Sequence, residues 1–208
     1  MTTLPTLAQL FEHMNKLGYA VFKSGDYDLN LFGIRSKDLE PTTFNDWLGC
    51  AYKVDGKWHL DYWPATTDPG LYWRENPSNV KGTAVLVPDQ YRSTYTIDLH
   101  AGKYLALCQR AGTVTVWRDA NRDAVLDLDG SNEETGYFGI NIHASANDPY
   151  HEDRDRGPDD EVGKWSAGCQ VHGTTEGFRE MMALCDKQIE THPSWPKVFT
   201  YALMEQWW

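Results

Sequence analysis

Apolar residues recur at intervals of three and four in two stretches of the chain and fall into short, broken runs everywhere else. Over residues 6–17, Leu7, Leu10, Phe11, Met14 and Leu17 share one helical face, with Thr6 placed to cap the start and Gly18 to end it. A second helix is predicted over about 175–190. There Phe178, Met182, Cys185 and Ile189 line one face, Thr174 or Thr175 caps it, and Glu176 lies in the first turn. Between these, aromatic and β-branched runs predict strands at Tyr27–Arg35, Trp58–Trp63, Thr83–Val87, Thr94–Ile97, Tyr104–Cys108, Thr113–Trp117 and Tyr137–His143. Turn signals such as Asp68-Pro69-Gly70 and Ala101-Gly102-Lys103 separate them, and residues 198–204 read as a last strand. The pattern predicts a mainly β chain, α+β overall. It forms a single domain over 1–208, with an N-terminal lobe of about 1–110 and a second region of about 111–208.

Composition narrows this little, but charge does. The 208 residues are 41% apolar and 24% charged, which is globular composition with length enough for a core of its own. Of the net charge of −11, residues 119–134 carry −5 and residues 148–161 another −5, so the rest is close to neutral. An acidic chain lacks the basic footprint of a nucleic-acid binder. No apolar run nears the roughly 20 residues of a membrane-spanning helix. The first ten residues have neither a basic start nor an apolar stretch, so no secretory signal is expected and synthesis in a cytoplasm is.

Of four cysteines, Cys50, Cys108 and Cys185 lie in apolar settings and read as small core residues; no pair has zinc or disulfide spacing. Cys169 differs. It ends Ser166-Ala167-Gly168-Cys169, a turn placed before a helix-forming segment, where a thiol is expected to be exposed. Gly168 lets backbone approach closely, and the amides of such a turn can hold an oxyanion. Upstream, Gly136-Tyr137-Phe138-Gly139-Ile140-Asn141-Ile142-His143 reads as a strand ending in an imidazole, and Cys with His is the minimal nucleophile–base pair for acyl transfer.

Ile142-His143 and Ser166-Ala167-Gly168-Cys169 together resemble the catalytic signature of the L,D-transpeptidases, the YkuD-type cysteine enzymes of peptidoglycan. The resemblance runs over roughly residues 112–172 and is specific in those two pieces. It implies a β-sandwich-like catalytic domain, with Cys169 as nucleophile and His143 as base. The Ala144 carbonyl would orient the imidazole, and the Gly168 and Cys169 amides would contribute the oxyanion hole. It implies a murein stem peptide attacked at an L-to-D bond, by hydrolysis or transpeptidation, with no required cofactor. Trp165, Ser166 and Gln170 are the expected substrate contacts. Without a signal, action on the wall after phage lysis, virion delivery or injection fits best. The alternative is a non-catalytic phage structural or wall-binding protein.

Two departures matter. Gln170-Val171-His172 follows the cysteine where the family has an aliphatic residue and then Arg or Asn, so a substrate-gripping Arg is missing or comes from elsewhere. The His-to-Cys separation is also long, and the excess coincides with residues 148–161, read as an inserted loop beside the cleft whose acids attract a substrate amine. That insertion makes His151 a rival base; His143 is preferred because His151 has no strand before it. Asp119, Asn121, Asp123 and Asp127 alternate like oxygen ligands and suggest a structural calcium ion. Ala124 and Gly130, however, stand where an EF-hand has Gly and Glu, and a solvated turn is the simpler reading.

Overall fold

The computed structural model describes residues 3–128, 130, 132–154 and 160–208. Of the acids in the two acidic stretches, Asp129, Asp155 and Asp159 lie outside them. The described chain is mainly β. Eight strands close into a barrel in the order β1 (Asn30–Arg35), β11 (Phe199–Glu205), β5 (Gln90–His100), β6 (Tyr104–Gln109), β9 (Ile142–Ala144), β10 (Gln170–His172), β3 (Lys57–Thr66) and β2 (Asp46–Val54). A separate three-stranded sheet has the order β4 (Thr83–Leu86), β7 (Val114–Asp119), β8 (Glu133–Gly136). Where the sequence suggested a sandwich, the main sheet thus closes on itself, which leaves it no free edge.

Both amphipathic helices form. α1 (Leu7–Lys16) starts in a capping box between Thr6 and Gln9 and ends before Gly18, whose φ is +76°. Its Leu10 and Met14 pack outside the barrel, on Phe32, Ile34, Ala51, Ala202 and Met204. α3 (Thr175–Thr191) is capped by Thr174. It brings Phe178, Met181, Met182 and Cys185 into the central core with Trp63, Tyr104, Ile142 and Ala144. Cys50, Cys108 and Cys185 are buried, as apolar settings predict.

Strand boundaries differ where polar chemistry intervenes. β1 begins only at Asn30, because Tyr27 adopts φ +52° and Asp28 turns its carboxylate to the Ser24 amide. β2 was missed; it pairs with β3 through an Asp55-Gly56 turn, both residues at positive φ, whose amides bond to Asp26. The run Tyr137–His143 is extended only at its end, in β9, while β8 forms earlier, starting in the last two residues of the first acidic segment. A short helix α2 (Leu71–Glu75) follows β3. Beneath it, Arg35 meets Asp68 at 2.7 Å with both side chains buried, and Arg74 donates to the Pro69 and Ala124 carbonyls. These bonds tie the start of α2 to the loop after β7.

Candidate active site

Cys169 is the last residue before β10. The Ser166 hydroxyl closes the turn, donating to the Cys169 carbonyl at 2.8 Å and accepting the Gly168 amide at 3.2 Å. Gly168 has φ +119°, and a Cβ there would lie 2.3 Å from the Ala84 carbonyl oxygen, so β4 backbone presses on the turn and only glycine fits. With its amide spent on Ser166, Gly168 no longer offers the oxyanion donor expected of it.

β10 lies parallel to β9, with Gln170 opposite Ile142 and Val171 opposite His143. One step earlier, this register brings Cys169 beside Asn141. The Sγ accepts from the Asn141 amide and donates to the Gly139 carbonyl, both at 3.4 Å. His143 stands one pleat repeat further, about 7 Å along the strand. The two candidate residues, 26 apart in sequence, thus share a strand pair. Among the described residues no hydrogen bond joins the sulfur to the imidazole.

The His143 ring is fixed from two sides. Its Nδ1 lies 2.9 Å from the Ala144 carbonyl oxygen. A carbonyl can only accept, so Nδ1 carries the proton and Nε2 the lone pair. His100, at the end of β5, stacks on it at 4.0 Å and 18°. The Asn141 side-chain Nδ2 lies 3.1 Å from the His100 Nδ1, and of the two the ring nitrogen is the one that can accept. Tyr104 grips the same carbonyl, donating to the Ala144 oxygen at 3.2 Å and accepting the Ala144 amide at 3.3 Å. Burial, then the neighbouring His100, pushes His143 down to about 3. Burial pushes the Cys169 thiol up to about 11, against the Asn141 amide, which lowers it. At neutral pH the free protein therefore holds a thiol and a neutral imidazole. Cys169 is only partly exposed and borders a small cluster of Phe44, Val162 and Val171, less open than its turn suggested.

The segment that touches the sulfur hangs on one side chain. Gln109, buried at the end of β6, accepts the amides of Phe138, Gly139 and Ile140 at 3.1, 2.9 and 3.1 Å. Its amide donates to the Gly112 and Gly136 carbonyls at 3.2 and 2.8 Å. A cavity of about 360 Å³ lies beside Cys169. Trp73, Asn79, Arg118, Tyr137 and Phe138 wall it; His143 does not. A larger one, about 540 Å³, lies between Trp47 and Trp208 and contains neither cysteine nor histidine.

The other expected residues fall elsewhere. Ser166 and Gln170 are fully buried, and Gln170 spends its amide on the Thr67 and Gly168 carbonyls while accepting from Tyr201, so both build the turn instead of meeting a substrate. Trp165 packs half-buried on the Phe44 cluster. His151 is 82% exposed and bonds to Asp148. No described residue of 148–161 lines the cavity; Arg154 is bonded to Thr175 at the start of α3, and Arg179 reaches Asp153. In the first acidic run, the Asn121 amide bridges Asp123 and Asp127 at 3.0 and 2.9 Å. Asp119 is buried beside them, with its carboxyl pushed up to about 6, first by burial and then by Asp127 and Asp123. Among the described residues no three His, Cys, Asp or Glu side chains are grouped to hold a metal ion, so the calcium expectation rests on sequence pattern alone.

Gln109, His100 and Arg118 carried no sequence signal; Tyr104 and Asn141 lay within quoted runs, without a role there. Among the described residues no helix is long and apolar enough to cross a membrane. Protein-family models, curated proteins and solved structures were all compared with this chain, and none of them matches it.

Proposed function

We propose that this chain is a cysteine acyl-transfer enzyme acting on peptidoglycan stem peptides at an L-to-D bond, built on an L,D-transpeptidase-type catalytic fold. One observation carries the reading: β9 and β10 run parallel and adjacent, so the Ser-x-Gly-Cys turn sits beside the strand of an imidazole whose Nδ1 is locked and whose Nε2 is left as acceptor. In this mechanism Nε2 of His143 takes the Cys169 proton as the sulfur attacks the carbonyl of the L-centre. The Cys169 amide faces the developing oxyanion. The amine of the D-residue leaves with the proton held by the imidazole, and the thioester passes to water or to an acceptor amine. Because burial keeps both groups neutral at rest, proton transfer is coupled to attack and does not precede it.

The experiment is digestion of purified sacculi followed by mass spectrometry, with Cys169→Ala as control. The reading expects muropeptides cleaved or cross-linked at an L-to-D bond by the wild type only. A carbapenem-like thiol probe should label Cys169 and spare the three buried cysteines. Equal product from Cys169→Ala, or none from either, overturns it. A second reading, a non-catalytic wall-binding or phage structural protein, is favoured by the raised thiol and its missing bond to the ring; it expects sacculus binding without products.

A further inference from the structure

The cavity of about 540 Å³ between Trp47 and Trp208 takes no part in the chemistry of Cys169. A second, of about 470 Å³, adjoins it at Gln206, which lines both, and is walled by Trp117 and Trp207. Trp207 and Trp208 meet edge to face at 4.8 Å and give one indole to each space. Four of the nine tryptophans thus line two neighbouring cavities. Their rings are held in advance: His13 stacks on Trp207 at 4.0 Å, and Tyr62 meets Trp47 edge-on at 6.3 Å.

The same walls carry unused polar groups. Asn45 donates through its Nδ2 to Asp38, and the Gln206 Oε1 accepts the Lys37 amide at 3.4 Å. Among the described residues the other ends of both amides, the Ser36 hydroxyl and the Trp47 indole N–H make no hydrogen bond. The Trp208 indole N–H is buried and also has no partner there. Charge is nearly balanced. Lys37 stands against Asp38 in the first cavity, and Glu205 is alone in the second, where burial, then Lys16, lowers His13 and keeps it neutral at pH 7. In a chain of net charge −11, neither acidic run reaches these spaces. A pyranose ring has the matching chemistry: an apolar C–H face to lie on an indole, and a rim of hydroxyls that donate and accept. An extended peptide finds no strand to pair with, because β1, β2 and β11 are each paired on both sides.

We propose that the two cavities form a binding site for a neutral oligosaccharide, with successive pyranose rings lying against Trp47 and Trp208 on one side of Gln206 and against Trp117 and Trp207 on the other. Neither cavity includes Cys169 or His143, so the inference goes beyond the acyl-transfer reading and does not rest on it. Within that reading, the occupant is the glycan strand of the polymer whose peptides the thiol attacks.

The test is isothermal titration of the intact chain with the β-1,4-linked dimer and tetramer of N-acetylglucosamine, and with decaproline as a peptide that also favours aromatic grooves. The tetramer should bind at least about tenfold more tightly than the dimer, because it alone fills both spaces. Trp208→Leu should weaken the tetramer about tenfold, and Trp207→Leu should bring it down to the affinity of the dimer. Asn45→Ala should weaken it about three- to tenfold, the range of one hydrogen bond; this half-buried amide lies outside the core clusters, so the test survives a tryptophan variant that fails to fold. No tetramer binding up to about 10 mM, equal affinity for dimer and tetramer, or unchanged binding in Trp208→Leu and Asn45→Ala overturns the proposal. So does binding of decaproline in place of the tetramer. Cys169→Ala should bind the tetramer as the wild type does. Tetramer binding without sacculus products retains the sugar site and removes the acyl-transfer reading; products without tetramer binding do the reverse.

Discussion

Replacing Gln109 by alanine should unfold the segment that touches Cys169 before it unfolds the barrel. The side chain makes five hydrogen bonds to main chain, three as acceptor from consecutive amides at 138–140 and two as donor to Gly112 and Gly136. Gln109 is buried, and alanine leaves all five groups without it. Phe138 and Gly139 are half-buried, and water can reach part of what is exposed there. If about three of the five groups stay dry, at roughly 1 to 1.5 kcal/mol each, the loss is about 3–4 kcal/mol. Gln109→Glu keeps the three accepted amides but sets a carboxylate oxygen against two carbonyls, so it recovers only part. The assay is urea unfolding with matched m-values, run beside iodoacetamide labelling of Cys169. Released from Gly139 and Asn141, the sulfur should also label faster in Gln109→Ala. A loss under about 1 kcal/mol, the worth of a single net hydrogen bond, with unchanged labelling would refute the account of Gln109 as the anchor of this segment.

Other expectations follow from the same contacts. Alkylation of Cys169 should rise close to tenfold per pH unit between pH 7 and pH 10, following a thiol near 11; a plateau reached by pH 9 would show that the thiol is not raised. Asp119 has a folded value of about 6, above the roughly 3.9 of an unfolded aspartate, so its contribution is full below pH 4 and is lost as pH rises through 6. Asp119→Asn should flatten that fall in denaturation profiles and stabilise the chain at pH 7; an unchanged profile would sink it. Removing the arginine of the buried Arg35–Asp68 pair, as Arg35→Met, should cost about 3–5 kcal/mol, because Asp68 is left charged in the interior. A near-neutral Tm shift would show that water reaches it.

Parts of this molecule were legible from one dimension because their cause is local. α1 and α3 announce themselves by apolar residues at three- and four-residue spacing with a capping threonine before each, and both form close to the predicted residues. The Ala101-Gly102 turn, at positive φ, links β5 to β6 as its residues require. β10 was illegible: three residues between Gly168 and Gly173 are too few to show an alternation. β2 was missed because its tyrosine, lysine and glycine break the apolar run. The substrate contacts expected at Ser166 and Gln170 failed for a related reason. Nearness to Cys169 in sequence says nothing about which way a side chain faces: Ser166 turns its hydroxyl onto the Gly168 amide and Cys169 carbonyl, and Gln170, next in the extended segment, points inward.

The amino-acid order by itself determined the two helices, the mainly β character, the buried identity of three cysteines, and the local turn that sets Cys169 apart, since each follows from spacing, capping or the conformational freedom of a single glycine. Only the tertiary structure decided that the large sheet closes, that β9 and β10 lie side by side, that His100 covers the imidazole, that Gln109 holds the loop under the sulfur, and that Arg118 supplies the charge in the cavity. Those are contacts between residues tens of positions apart. Which distant strand becomes a neighbour is settled by how the whole barrel buries its apolar faces and satisfies its backbone, and no short stretch of sequence contains that information.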